Sequence, residues 1–76
     1  MKYILLEIQK NSAGELSTLI TTYDDKPHAN AGFYSLAAVC ELSDVPVHSA
    51  ILMKESGKVV NSLQVNHGGD EENENG

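Results

Sequence analysis

The side chains of this chain that could do chemistry are few and scattered. His28, His48 and His67 stand about twenty residues apart. Metal sites legible in a sequence repeat their ligands at short spacings, because neighbouring turns of chain must converge on one ion. Here at least two histidines would have to meet in space with a carboxylate such as Asp24 or Asp25. Surface or partly buried structural histidines are the simpler expectation, with no metal site and no cofactor. Cys40 has Glu41 and Asp44 as sequence neighbours, whereas a reactive thiol needs an electropositive, accessible setting. It is expected to be a buried structural thiol.

Asp24 and Asp25 could form a carboxylate pair for acid–base work. They stand directly before Lys26-Pro27, where an aspartate side chain accepts a bond from an orphan helical amide, so capping accounts for them with less machinery. Ser17, Thr18, Thr21 and Thr22 could hydrogen-bond a ligand, although a threonine-rich strand is most often just half-exposed. The chain contains no phosphate-binding glycine loop, dinucleotide fingerprint, nucleophile elbow or zinc signature. The expectation is a protein that is not an enzyme.

The elements that must position these residues follow from periodicity. Residues 2–9 alternate, with Ile4, Leu6 and Ile8 on one side and Tyr3, Leu5, Glu7 and Gln9 on the other; this reads as a strand whose Ile4/Leu6/Ile8 face is buried. A turn-rich Lys10–Glu15 leads to a second strand over Leu16–Tyr23. Ala29, Phe33, Leu36, Ala37 and Cys40 form one apolar stripe, which predicts a helix over Lys26–Leu42. Gly32 interrupts that helix at a cost of about 1 kcal/mol relative to alanine. Either the helix starts later or a neighbour approaches closely there. Val47–Lys54 and Val59–Val65 read as strands joined by the tight turn Glu55-Ser56-Gly57-Lys58.

The expected fold is α+β: ββαββ, a four-stranded antiparallel sheet with the helix on one face through Phe33, Leu36, Ala37 and Cys40. Residues 1–67 make one domain, and the glycine- and acid-rich 68–76 are expected to be a flexible tail. Several strands carry apolar residues on both sides (Leu5 and Leu6, Leu19 and Ile20, Ile51 and Leu52, Val59 and Val60). One helix covers one face, so a homo-oligomer, a dimer first, is expected to cover the rest by sheet-to-sheet or edge association.

Seventy-six residues with 41% apolar content suit one small domain. The net charge is −6, but Asp70, Glu71, Glu72 and Glu74 fall in the last seven residues; the remaining seven acids face five lysines, so the body carries −2. There is no arginine, hence no bidentate guanidinium for phosphate or guanine, and nucleic-acid binding is disfavoured. A single cysteine implies no disulfide framework. No apolar run approaches the ~20 residues that span a bilayer, and Glu7 and Gln9 break the opening apolar run too early for a signal peptide. No membrane association is expected, and a cytoplasmic location follows.

Met1–Gln9, Leu19–Asp25, Tyr34–Ala38 and Val45–Met53 together resemble a group of very small uncharacterised proteins of tailed phages and prophages in gut Firmicutes, over about Met1 to Val65. The resemblance implies a phage accessory protein acting in the cytoplasm of the host bacterial cell and binding a host protein or defence component. The runner-up is a virion or assembly structural protein, and a third reading is an oligomeric small-ligand protein that binds a nucleotide. The last of these would bring polar side chains together at a subunit interface, with Thr18, Thr22, His48 and Lys58 as candidate ligand-binding residues.

Overall fold

Alternation along the first strand and the β-branched run of the second produce β1 (Tyr3–Lys10) and β2 (Leu16–Tyr23). The Asn11 side chain closes the hairpin between them, accepting from the Ala13 and Glu15 amides at 3.0 and 2.9 Å. The chain then enters α1 (Lys26–Leu42), β3 (Val47–Lys54) and β4 (Val59–Asn66). The computed structural model describes residues 1–67; the segment 68–76, expected to be a flexible tail, lies outside the described residues. The sheet is antiparallel throughout, in the order β2-β1-β3-β4, which is the expected ββαββ α+β fold. No helix among the described residues is long and apolar enough to cross a membrane.

Helix α1 begins as its sequence predicts. Asp25 is extended (φ −140°, ψ 160°) and its carboxylate accepts the His28 amide at 2.8 Å, with Pro27 in the first turn. The same carboxylate meets His28 Nδ1 at 2.8 Å, and these bonds from the His28 backbone and ring hold Asp25 below the usual aspartate range. Folding therefore draws on this cap at pH above that range and loses it as pH falls. At the other end the Ser43 amide returns to the Cys40 carbonyl at 3.3 Å. Gly57 supplies the left-handed residue (φ +96°) that closes the β3–β4 turn.

The core is Leu5, Ala29, Phe33, Cys40, Ala50 and Leu52, with Tyr3, Tyr23, Leu36, Ala37, Val60, Leu63 and Val65 packed around it. The expected helix stripe thus lies inward, as Phe33, Leu36, Ala37 and Cys40 require. The expected strand face does not. Leu5 is buried, whereas Ile4, Leu6 and Ile8 are only half-buried and lie on the side away from the helix. Topology supplies the reason. Strands β2 and β3 run parallel with β1 between them, and α1 is their crossover. Crossovers of this kind are right-handed in nearly all proteins, and for this strand order that hand places the helix over Tyr3, Leu5 and Glu7.

The uncovered face is correspondingly apolar. Leu6 pairs with Ile20 on one side and Ile51 on the other, and Ile4 pairs with Met53, so these side chains share that face. Ile20 is 63% exposed there. On the helix side, α1 lies over β1 and β3 and leaves Leu19 of β2 61% exposed.

Gly32 is explained by close approach. A Cβ added there would overlap the hydroxyl and Cζ of Tyr23. Gly32→Ala is therefore expected to destabilise the protein in chemical denaturation, although alanine is the better helix former. In a Tyr23→Ala background the same change should instead stabilise by up to about 1 kcal/mol, and stabilisation in both backgrounds would refute the contact.

Candidate functional site

Burying the Tyr3/Leu5 side of β1 carries Glu7 and Gln9 inward with it, because alternate residues share a face. Strand β3 contributes His48, paired with Gln9 across the ladder, and Ala50, paired with Glu7. His48 is 2% exposed. Its Nε2 lies 2.5 Å from Glu7 Oε2, and Gln9 Nε2 donates to that same oxygen at 2.9 Å. The carboxylate is an acceptor, so Nε2 carries the imidazole proton. Nδ1 is buried with no hydrogen-bond partner. In the neutral ring Nδ1 is a bare lone pair; in the charged ring it would be an unsatisfied buried donor.

Cys40 stands over the same end of the sheet. It is fully buried, and burial, followed by the nearby Glu7 and Glu41 carboxylates, pushes its thiol above the ordinary cysteine range. The protonated thiol therefore persists through neutral pH, opposite to what a nucleophile requires. His67, just past β4, brings Nε2 to within 3.0 Å of the Cys40 carbonyl, where a ring N–H satisfies one of the helix's last acceptors. Glu7, Gln9, Cys40, His48 and His67 thus gather at the C-terminal end of α1. Among the described residues, no group of three or more histidine, cysteine or acidic side chains is placed to hold a metal ion.

The paired carboxylate and imidazole reproduce the base and orienting group of a catalytic triad, but not its geometry. A triad histidine turns its second nitrogen to a nucleophile in a solvent-reaching cleft. Here the second nitrogen faces the interior. The contact fixes the tautomer of His48 and ties β1 to β3. A cleft of about 390 Å³ opens nearby between the β1–β2 hairpin and the α1–β3 connection, lined by Gln9, Asn11, Glu15, Leu16, Ser17 and Val45. Gln9 links it to Glu7, and through Glu7 to His48.

The candidate ligand residues lie apart. Thr18 and Thr22 flank Ile20 on the uncovered face of β2, paired with Ile8 and Ile4. His48 is buried on the opposite face, and Lys58 stands exposed in the β3–β4 turn, its carbonyl accepting the Lys54 amide. One subunit puts Thr18 and Thr22 on one face, with Ile20 between them, and brings neither His48 nor Lys58 to them. The partnership of Glu7 with His48 was not anticipated. Its trace in the sequence is a charged residue and a histidine at inward positions of two otherwise apolar strands, which becomes visible once the helix-covered face is known.

Replacing either partner strands the other in the interior. Glu7→Leu or His48→Leu is expected to cost about 3 kcal/mol, the lower end for a buried pair because Glu7 keeps some solvent contact. The double variant should be more stable than the summed losses by about 1 kcal/mol or more. Additive losses in urea denaturation would show the contact to be energetically idle.

No protein-family model matches the chain, and no curated protein or solved structure is significantly similar to it.

Proposed function

We propose that this chain is a non-enzymatic binding protein of a phage or prophage that acts inside the host cell and engages a host factor or defence component through the uncovered face of its sheet. The single observation that carries this reading is the row Ile20–Leu6–Ile51, with Ile4 and Met53 beside it, on the face opposite α1. Ile20 is 63% exposed and Leu6, Ile51, Ile4 and Met53 are half-buried, and monomeric proteins rarely leave large contiguous apolar surface without a partner. The interior supports the same reading: its one buried imidazole is committed to Glu7 and its thiol is buried and protonated. The phage setting rests on the sequence resemblance alone.

Affinity capture from phage-infected host lysate, with the wild-type chain and an Ile51→Lys variant in parallel, tests the proposal. Circular dichroism checks that the variant is folded. The wild type is expected to retain a specific host protein that Ile51→Lys loses. Equal retention by both, or recovery of the chain in many copies from purified virions, would overturn it; the latter would favour a structural role in the particle.

A further inference from the structure

The edges of the sheet are built differently, and the difference can be read from backbone parity. The Glu55 amide donates to the Lys2 carbonyl, and the Asn11 amide to the Glu15 carbonyl, both at 3.0 Å. Hydrogen-bonded pairs alternate along an antiparallel ladder. Odd residues of β1 therefore bond β2, and even ones bond β3. In β2 it follows that Ser17, Leu19, Thr21 and Tyr23 bond inward. Leu16, Thr18, Ile20 and Thr22 direct their N–H and C=O groups outward from the sheet.

That outward row has none of the devices that normally block edge pairing. Leu16–Tyr23 holds no charged residue and no proline, and its register against β1 is unbroken. Seven of its eight residues are exposed, including Leu16 at 67%, Leu19 at 61% and Ile20 at 63%. The β4 edge is blunted by contrast. The His67 amide donates to the Pro46 carbonyl at 2.7 Å, which puts the even residues of β4 outward. There the Ser62 amide is taken up by the Asn61 side chain at 2.9 Å, and a register shift between Leu52 and Met53 disturbs the ladder.

We infer that β2 is a self-association edge, pairing antiparallel with β2 of a second copy about a twofold axis at Leu19. The choice of a second copy, and of this register, rests on complementarity. With Leu19 opposite its own copy, Thr18 faces Ile20 of the partner copy and Leu16 faces Thr22 of the partner copy. Every outward N–H and C=O of these four residues then finds a mate. No like charges meet within Leu16–Tyr23, because that strand is neutral. The two Leu19 side chains cover one another on the helix side, where α1 does not reach. The product is one sheet of twice the width, with both helices on the same side and the uncovered apolar face left free. Only Ile20 belongs to both surfaces, its backbone to the edge and its side chain to the face proposed to bind a host factor, so either can fail without the other.

Light scattering with amide hydrogen exchange tests the inference. The wild-type chain is expected at twice its 8.2 kDa mass, with the Leu16, Thr18, Ile20 and Thr22 amides protected. Thr18→Pro removes an outward amide that the monomer does not use and should give a folded monomer. Leu19→Lys, at an exposed position, should do so independently. Leu19→Cys should oxidise to a disulfide-linked dimer, since directly opposed non-bonded residues lie about 4.5 Å apart between Cα atoms. Ser17→Cys, displaced from the axis, should not cross-link. A wild-type monomer up to millimolar concentration would overturn the inference. So would a dimer that persists in both Thr18→Pro and Leu19→Lys, which would place the contact on the uncovered face. Edge amides that become protected only when another protein is added would overturn it too, and assign the edge to a foreign strand.

Discussion

One helix can shield one face of a four-stranded sheet, and the hand of its crossover decides which. The rest of the molecule follows from that constraint. Because α1 joins parallel strands β2 and β3 across β1, right-handedness seats it over Tyr3, Leu5 and Glu7. Small side chains then let it approach closely: Ala29 and Cys40 on the helix and Ala50 on the sheet are all fully buried. Gly32 takes the Tyr23 ring in place of a side chain of its own. The price is a polar inward position at Glu7, met by His48 and Gln9 with only partial help from solvent.

That polar cluster and the uncovered face are two results of one choice. Had the helix covered the Ile4/Leu6/Ile8 side, the core would have been more uniformly aliphatic, and Glu7 and His48 would have stood in water. Instead the interior contains a carboxylate–imidazole hydrogen bond whose worth lies in specificity more than in stability, since buried polar pairs seldom exceed a well-packed apolar substitute. The pair opposes register slips between β1 and β3: a one-residue shift would turn one of the two side chains to the opposite face and part them. The apolar surface left outside is available for association.

Much of this was legible in the sequence. Asp24-Asp25-Lys26-Pro27 marks the start of α1, and Asp25 caps it. The stripe Phe33, Leu36, Ala37, Cys40 points inward, and Gly57 turns the second hairpin. Gly32 correctly signalled either a late start or a close neighbour, and Tyr23 is that neighbour. The burial of β1 was misjudged, because its clean alternation shows two faces without saying which meets the helix. That information resides in strand order and chirality, neither of which a single strand encodes. The Glu7–His48 contact joins residues forty-one positions apart, and no local pattern announces it. Thr18, Thr22, His48 and Lys58, plausible ligands by residue type, belong to different faces and ends of the sheet within one subunit.

The central claim is that the helix covers the Leu5/Leu52 face and leaves Leu6, Ile20 and Ile51 open. Methyl relaxation by a soluble paramagnetic agent measures this directly. The account predicts strong enhancement at the Ile20 methyls, clear enhancement at those of Leu6 and Ile51, and little at Leu5 and Leu52. Enhancement concentrated at Leu5 and Leu52, with Leu6 and Ile51 silent, would contradict it.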